Sequence, residues 1–445
     1  MRIVYITAGA AGMYCGSCMR DNTLVAALTK AGHEALLVPT YTPIRTDEDD
    51  VSQKRVFFGG INVYLEQKLA LFRHTPWFVD RLLNFPAMLR WVSRFAVRTR
   101  AEDLGDLTVS MLRGGSGKQR KEVAKITRWL GDEIRPEVIN LTNALLSGMV
   151  PELKARLPGV PILCSLQGDD IFTESLPEPF RGEVLGLIRE RAKLIDGFIA
   201  TSVSYADFMA GYFGIPREKI HVVYPGLNLK GQGDPRPERT AEPFTVGYFA
   251  RICPEKGFHR LVDAFLTLRQ MPDTKGVRLH ASGWLGENNR PFYEEQVARL
   301  ERAGLFGDFS HVESPSHDDK MRFFHGIDVL SVPTTYHEPK GLYVLEALAN
   351  GVPVVQPRHG SFPELIEMTG GGILTTPNDA NDLAGALHRL MLDPESRERL
   401  ARTGKAAVYE RFHAARMAEE TARIYDTSIN EKKRANHRVT EGTEE

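Results

Sequence analysis

The sequence is poor in cysteine and has no long apolar run. Its 445 residues contain four cysteines, Cys15, Cys18, Cys164 and Cys253, too few for a disulfide-built scaffold, and this scarcity predicts a reducing compartment. No apolar run approaches the roughly 20 residues that a membrane-spanning helix needs. The N-terminus enters an apolar segment without the basic region of a signal peptide. The expected location is therefore the cytoplasm.

An excess of charge of either sign is also missing. The chain has 56 Lys and Arg against 57 Asp and Glu, giving a formal net charge of -1. This balance gives no reason to expect a nucleic-acid partner. Hydrophobic residues make up 42% and charged residues 25%, which is ordinary for a soluble globular protein. A chain of this length is expected to form more than one domain.

Short apolar strands alternate with helical stretches in both halves of the chain. This alternation predicts an α/β fold with two doubly wound domains, each built on a parallel sheet. The first domain is predicted over 1–229, with a helical insertion at 71–135, and the second over 243–412. Between them, 230–242 is polar and rich in Gly and Pro, which predicts a linker. A cleft between the two domains is the expected active site.

The end of the chain is predicted to lie outside the second domain. An amphipathic helix over 413–429 is expected to pack back towards the first domain. The charged stretch over 430–445 is expected to be disordered.

Two cations lie on a predicted loop between a strand and a helix in the second domain. Arg251 and Lys256 belong to the segment GYFARICPEKG. Arg can bind phosphate with two hydrogen bonds and Lys adds a point charge, while the helix N-terminus supplies amides and a favourable dipole. The alternative is a solvated pair on a surface loop.

A second segment, EPKGLYVLEALANGVPVV, places two carboxylates eight positions apart. Glu338 is on the predicted loop, Gly341 opens a helix, and Glu346 follows on an otherwise apolar helix. A bare Gly lets a phosphate approach the backbone amides. A carboxylate on an apolar helix needs a partner, and ribose hydroxyls are a fitting one. The alternative is a Glu on an ordinary helix face and a second that favours the helix dipole.

These two segments resemble the motifs of family 4 retaining glycosyltransferases, which have the GT-B fold of two facing Rossmann-like domains with an interdomain cleft. Glu338 and Glu346 resemble the E-x7-E motif of that family. Arg251 and Lys256 resemble its G-R-x-x-x-E-K-G loop, with Ala250 in place of the first Gly. The resemblance covers nearly the whole chain and implies a nucleotide-diphosphate sugar as the donor substrate.

The resemblance also implies a role for each motif residue. Arg251 and Lys256 would neutralise the leaving diphosphate, and Gly341 and Leu342 would offer it backbone amides. Fixed cations and dipoles would then replace a metal ion, so neither a metal site nor a cofactor is expected.

The two carboxylates would hold the rest of the donor. Glu338 would bind hydroxyls of the donor sugar, and Glu346 would bind the ribose. Glu338, Arg251 and Lys256 are thus the predicted catalytic residues of a hexosyl transfer that retains the anomeric configuration.

A Gly-rich loop follows the first strand, with Gly9, Gly12 and Gly16. In the resembling family this loop lies near the donor phosphate or the acceptor, which makes Gly12 a candidate donor-binding residue, although a plain strand-to-helix turn has the same pattern. Cys15 and Cys18 form a C-x-x-C in the same region. A redox pair or a metal site is an alternative there to simple packing.

The acceptor side offers three candidate residues. Asn143 is aligned with a strand-end His that contacts the transferred sugar in many relatives, and Asn can hydrogen bond but cannot titrate. Asp169 and Asp170 follow the next strand and are candidates for binding an acceptor hydroxyl or acting as a base. A helix cap or turn is the alternative for one of the two.

Residues 71–100 combine aromatic and basic side chains with a single acidic one, Asp80. This composition is typical of a surface that contacts an anionic membrane, which predicts peripheral contact at the inner membrane face and fits a lipid-linked acceptor. The alternative is a helical hairpin whose Arg side chains are solvated.

The sequence leaves the acceptor open between a glycan, a lipid-linked molecule and a small molecule. Two other functions share the architecture. One is a nucleotide-sugar-binding module that has lost catalysis, and the other is a nucleotide-sugar 2-epimerase.

Overall fold

A computed structural model of the chain describes residues 1–9, 15–54, 56–57, 101–234, 243–314 and 316–441. The chain divides into two compact units. The first comprises Met1–Thr201, Ala206–Val223 and Met417–Glu445, and the second comprises Ser202–Tyr205 and Tyr224–Arg416.

The first unit is built on a parallel six-stranded sheet with the order β2-β1-β3-β4-β5-β6. Its strands are β1 Arg2–Thr7, β2 Glu34–Pro39, β3 Val138–Leu141, β4 Ile162–Leu166, β5 Gly197–Ala200 and β6 Ile220–Val222. Every residue of β3, β4 and β5 is buried. Because successive side chains point to opposite faces, both faces of the sheet are covered. The strand order reverses between β1 and β3.

A second parallel six-stranded sheet, with the order β12-β11-β10-β7-β8-β9, forms the second unit. Its strands are β7 Thr245–Phe249, β8 Arg278–Ser282, β9 Phe309–His311, β10 Val329–Leu330, β11 Val354–Pro357 and β12 Gly372–Thr375. Here the strand order reverses between β7 and β10. The prediction of two doubly wound parallel sheets is confirmed, and each sheet has a reversal point of the kind at which such folds bind ligands.

Helices connect the strands in both units. Those before Tyr224 are α1 Gly16–Lys30, α2 Ala101–Leu112, α3 Arg120–Trp129, α4 Val150–Arg156, α5 Asp169–Glu174, α6 Phe180–Ala192 and α7 Val203–Phe213. Those after it are α8 Phe258–Leu268, α9 Arg290–Arg302, α10 His317–His325, α11 Leu342–Ala349, α12 Phe362–Thr369, α13 Ala380–Leu392, α14 Pro394–Arg411 and α15 Ala414–Glu441. The described part of the predicted insertion 71–135 contains α2 and α3.

The last helix is longer than the sequence predicted. It continues from Ala414 to Glu441, so the prediction of a disordered tail is wrong over 430–441. The stretch after Ile429 is rich in Glu, Lys and Arg, which favour a helix as well as solvent exposure. Lys432 also pairs with Asp196 of the first unit at 3.1 Å. Charge alone therefore did not distinguish a solvated helix from a disordered tail.

The described part of the predicted linker is packed on the second unit. Gln232 is buried. Its side-chain oxygen accepts a hydrogen bond from Asn350 at 2.9 Å, and its backbone carbonyl accepts one from the Tyr409 hydroxyl at 2.6 Å. These contacts hold this part of the segment in place, whereas its Gly and Pro content predicted a linker. The stretch 235–242 lies outside the described residues.

Candidate active site

The strand order brings the two predicted motif segments together. β10 pairs with β7 in parallel, with Leu330 opposite Gly247, so the loops that follow these strands leave the same edge of the sheet. One loop carries Arg251 and Lys256, and the other carries Glu338. They meet at the reversal point of the second sheet, where ligands bind in such folds.

A glycine allows the two loops to approach closely. Gly257 has a φ of +72°, and a Cβ there would lie 1.7 Å from the Pro333 carbonyl oxygen. The Thr335 amide also donates to the Glu255 carbonyl at 2.9 Å. Any side chain at position 257 would push the loops apart and move Lys256 with them.

Three side chains donate hydrogen bonds to one oxygen of Glu338. Its Oε2 accepts from Lys256 Nζ at 2.7 Å, from the Tyr336 hydroxyl at 2.7 Å and from the Tyr343 hydroxyl at 2.9 Å. The Lys256 ammonium also contacts the Tyr336 hydroxyl and lies over both rings, 4.9 and 5.1 Å from their centroids. Glu338 is only 3% exposed, so this cluster compensates a buried carboxylate.

The other carboxylate oxygen is held by the backbone. Glu338 Oε1 accepts from the amides of Lys340 and Gly341, at 3.3 and 3.2 Å. Gly341 has a φ of +60° and precedes α11, whose N-terminus has no side-chain cap. Leu342 is the first residue of that helix and is half-buried. The amides and the dipole of α11 therefore begin beside the Glu338 carboxylate.

The cluster keeps Glu338 ionised. Burial by itself would raise the pKa of its carboxyl, but the Lys256 charge and hydrogen bond and the Tyr336 hydrogen bond outweigh burial and lower that pKa to about 2. Burial and the adjacent carboxylate raise the pKa values of the Tyr336 and Tyr343 phenols well above their usual value. Both phenols are therefore protonated and can donate at any physiological pH.

Arg251 lies on the same loop as Lys256 and is half-buried. The Tyr248 hydroxyl donates to its backbone carbonyl at 2.8 Å and lies 3.5 Å from that of Lys256. One buried tyrosine of β7 thus anchors both ends of the turn that presents the two cations.

Glu346 has a protein partner that the sequence did not indicate. It lies on α11, is 6% exposed, and pairs with Lys320 of α10 at 2.8 Å. Lys320 is also buried. The sequence predicted a partner for a carboxylate on this apolar helix and named the ribose, which stays a prediction. The partner in the structure is Lys320, 26 positions earlier in the chain, and no local pattern connects the two.

The acceptor-side candidates lie in the first unit, next to its own reversal point. Asn143 follows β3, and its Oδ1 is buried with no hydrogen-bond partner in the described part of the chain. Asp169 begins α5 and accepts from the backbone amides of Ala144 at 2.6 Å and Gln167 at 2.9 Å. Asp169 thus ties together the loops after β3 and β4, in line with the turn alternative. Asp170 is buried beside it.

A buried polar network lies at the same edge of the first sheet. The Asp21 carboxylate of α1 accepts from the Tyr5 hydroxyl at 2.8 Å and from Gln167 Nε2 at 2.9 Å. The Thr142 hydroxyl also donates to it, and Arg20 lies 3.5 Å away. Burial raises the pKa of the Asp21 carboxyl, and the Arg20 charge and these hydrogen bonds partly offset that effect.

Two of the remaining predictions on the first unit concern residues that the structure does not describe. Gly12 and residues 71–100 lie outside the described residues. Cys15 precedes α1 and is half-buried, whereas Cys18 is buried, and neither forms a disulfide. The pKa of the Cys18 thiol is raised. The largest cause is a hydrogen bond with Cys15, and the second largest is burial. Among the side chains that are described, no three of His, Cys, Asp or Glu are grouped so as to hold a metal ion.

Two family models of known proteins match this chain. The model of the family described as glycosyl transferases group 1 matches residues 234–407, and that of glycosyltransferase family 4 matches residues 107–230. The protein is therefore a glycosyltransferase of the group 1 and family 4 type. In this glycosyltransferase the first match covers Arg251, Lys256, Glu338 and Glu346, and the second covers Asn143, Asp169 and Asp170.

Two curated relatives illustrate the range of similarity. This glycosyltransferase is 28% identical over 396 residues to a D-inositol 3-phosphate glycosyltransferase of Pseudarthrobacter chlorophenolicus, covering 80% of this chain and 90% of that protein. It is 25% identical over 242 residues to an uncharacterized glycosyltransferase of Methanocaldococcus jannaschii. That match covers 52% of this chain and spans only 60% of the relative's length.

A solved structure agrees with the fold. Anabaena HepE in complex with UDP and glucose matches this glycosyltransferase with a TM-score of 0.67 at 19% identity, covering 96% of this chain and all of that one. This likeness shows the fold, which is GT-B, as the sequence predicted. Within the described residues, no helix is both long enough and apolar enough to cross a membrane.

Sequence reasoning missed four residues of this glycosyltransferase. Tyr336 and Tyr343 flank Glu338 in the motif itself, so a tyrosine beside a buried carboxylate was an available signal. Lys320 carried no such signal, because Glu346 is distant in the sequence. The hydrogen-bond donors of Asp21 are also distant in the sequence.

Proposed function

We propose that this glycosyltransferase transfers a hexosyl group from a nucleotide-diphosphate sugar to a glycan, lipid-linked or small-molecule acceptor, with retention of configuration and without a metal ion. The observation that carries the proposal is the contact between Lys256 and Glu338 beside the N-terminus of α11. A cation, a buried ionised carboxylate and a helix N-terminus lie within a few ångströms of each other.

In the proposed donor site the diphosphate lies between the cations and the helix. Arg251 and Lys256 neutralise its charge, and the amides of Gly341 and Leu342 donate to its oxygens. Because negative charge grows on the leaving diphosphate as the glycosidic bond breaks, prearranged cations and dipoles lower the barrier most. Gly12 is assigned to the same donor on the family resemblance alone.

The carboxylates bind the two ends of the donor. Glu338 accepts hydrogen bonds from the donor sugar, whose transition state resembles an oxocarbenium ion. Glu346 accepts from the ribose, with Lys320 holding its other side at 2.8 Å. The HepE structure, determined with UDP and glucose, supports a nucleotide sugar as the class of donor.

The acceptor side is assigned to the first unit. Asn143 is the candidate for contact with the transferred sugar, because its Oδ1 is buried and unpartnered among the described residues. Asp170 is a second candidate, whereas the two backbone hydrogen bonds of Asp169 favour a positioning role. Peripheral contact with the inner membrane face through 71–100 remains part of the proposal on composition, as does a cytoplasmic location.

The test is to incubate the purified protein with a panel of nucleotide sugars and extracted acceptors, and to measure released nucleoside diphosphate and the glycosylated product. Lys256→Ala is compared with Lys275→Ala, which removes an exposed lysine of the same unit. We expect turnover that persists in EDTA, depends on Lys256 and not on Lys275, and gives a product with the anomeric configuration of the donor.

Other outcomes separate the competing functions. Binding of a donor without transfer to any acceptor would favour the binding module, and conversion of the donor to its 2-epimer would favour the epimerase. No binding of any nucleotide sugar at millimolar concentration would show that the donor site is misassigned.

A further inference from the structure

The Glu338 carboxylate is already saturated with donors. A carboxylate offers about four lone-pair sites on its two oxygens. Five groups donate to them here, three side chains to Oε2 and two backbone amides to Oε1. The donors are Lys256, Tyr336, Tyr343 and the amides of Lys340 and Gly341. A sugar hydroxyl can therefore bind Glu338 only if one of these donors leaves.

The donors differ in how easily they can leave. The two amides belong to the turn that enters α11, so they cannot move without unwinding it. The Tyr343 ring is buried in the core of the second unit, and the Tyr336 hydroxyl is fixed to the same carboxylate. Lys256 has a flexible stem, its side chain is 14% exposed, and it carries the charge for which a diphosphate would compete.

We propose that Lys256 is exchanged between two anions, so that the donor diphosphate draws it away from Glu338 and thereby frees that carboxylate to bind the donor sugar. In this exchange Tyr336 and Tyr343 are positioning residues that hold the released carboxylate in place. The inference rests on the proposed function, since it requires that a diphosphate binds at Lys256.

The phenols are suited to this task. Once Lys256 leaves, a buried carboxylate without its cation would be strongly disfavoured. The hydroxyls of Tyr336 and Tyr343 and the two backbone amides would still donate to Glu338. A sugar hydroxyl would then donate in place of Lys256. Both phenols remain protonated, so neither adds a negative charge next to the diphosphate.

The exchange has a consequence for specificity. The sugar gains its contact with Glu338 only when a diphosphate occupies Lys256, so sugars and sugar 1-phosphates without the nucleoside diphosphate should bind poorly. Conversely, a nucleoside diphosphate by itself must break the Lys256–Glu338 pair and obtains no sugar contact in return. The ion pair thus selects donors that carry both parts.

Two dissociation constants measured by titration calorimetry test this exchange. One is for a nucleotide sugar that the wild-type protein binds, and the other is for its nucleoside diphosphate without the sugar. Their ratio gives the affinity that the sugar adds. In Tyr343→Phe we expect this ratio to fall by about tenfold, the effect of one hydrogen bond to a charged group, while nucleoside diphosphate binding changes by less than about twofold.

Glu338→Gln tests the other half of the exchange. Without the carboxylate, Lys256 is free for the diphosphate, so we expect the nucleoside diphosphate to bind about tenfold more tightly, as for the loss of one competing charged contact. The ratio that measures the sugar contribution should fall towards one. Glu255→Gln is the matched control, because it removes the same charge from an exposed residue of the same loop.

Both variants have a result that would overturn part of the proposed exchange. If Tyr343→Phe weakens both ligands equally, the phenol is merely structural and its positioning role is overturned. If Glu338→Gln tightens nucleoside diphosphate binding no more than Glu255→Gln does, Glu338 does not withhold Lys256 and the exchange is overturned. Tyr336→Phe, at a half-buried position, repeats the first test if Tyr343→Phe fails to fold. A wild-type protein that binds no nucleotide sugar would instead remove the proposed function.

Discussion

Each unit carries a buried carboxylate near the reversal point of its sheet, and the two behave in opposite ways. Glu338 in the second unit and Asp169 in the first are both 3% exposed. The pKa of Glu338 is lowered to about 2, mainly because the Lys256 ammonium outweighs burial, whereas burial dominates at Asp169 and raises its pKa to about 6.

The difference lies in the partners. Both carboxylates accept from two backbone amides, but Glu338 is also bound by a flexible cation and two phenols. Backbone donors hold a loop in place and have nothing to exchange with a ligand, whereas a lysine can move to another anion. Burial of a carboxylate is thus a poor guide to function until its partners are known.

The largest expected effect separates Lys256, the partner of Glu338, from Lys320, the partner of Glu346. In Lys256→Met we expect kcat to fall by about 10²–10³-fold, as when one stabilising donor of a developing charge is removed. In Lys320→Met we expect kcat to change little, because Lys320 acts on Glu346 and hence on the ribose, and the donor KM to rise instead. Steady-state kinetics on both variants measure the split. Equal loss of kcat in both would contradict the distinct roles assigned to the two ion pairs.

In the first unit, removal of a buried carboxylate should reduce the stability of the fold. Asp21→Ala leaves the fully buried Arg20 guanidinium without its carboxylate, which should lower the free energy of unfolding by about 3–5 kcal/mol. Denaturant unfolding of the variant and the wild type measures this. A loss no greater than that of an ordinary surface substitution would mean that the network contributes little to this unit.

The pH dependence of stability should have opposite signs at the two carboxylates. The lowered pKa of Glu338 contributes stability that is present above pH 4.5 and is lost as the pH falls towards about 2. The raised pKa of Asp169 contributes stability that is present below pH 3.8 and is lost as the pH rises through about 6.

Melting temperatures at several pH values measure this contrast. The deficit of Glu338→Gln relative to wild type should shrink on acidification below pH 4.5. The deficit of Asp169→Asn should shrink as the pH rises from 4 to above 6. The same pH trend in both variants would contradict the assigned partners.

The smallest effect concerns the C-terminal helix. Lys432→Ala removes a partly exposed ion pair with Asp196, which keeps Lys154 as a second partner. We therefore expect a loss of only about 0.5 kcal/mol in the free energy of unfolding. Amide hydrogen exchange of residues 430–441 gives the sharper measurement, because a helix there protects amides that a disordered tail would leave unprotected.

Sequence reasoning reached the elements whose signal is local. Alternating apolar strands and helices predicted both sheets, and the spacing within two short motifs marked Arg251, Lys256, Glu338 and Glu346. The contact between those motifs depends on β7 and β10 being neighbours, which family resemblance implied and strand pattern alone did not specify.

What the sequence could not provide was the identity of distant partners. Glu346 was predicted to need a partner, but nothing near it in the chain indicated Lys320. Asp21 accepts its hydrogen bonds from three other segments, and nothing in the polar run Arg20–Thr23 around it indicated them. Composition also failed at 430–441, where charged residues favour a helix and a disordered tail alike.

The most direct measurement is a crystal structure of the protein with a non-hydrolysable nucleotide-diphosphate sugar. We predict the diphosphate beside Arg251, Lys256 and the N-terminus of α11. Lys256 Nζ should lie on a phosphate oxygen, and a sugar hydroxyl should occupy its former place on Glu338 while both phenols stay. A nucleotide bound elsewhere, or a Lys256 that remains on Glu338 with the diphosphate in place, would contradict the account.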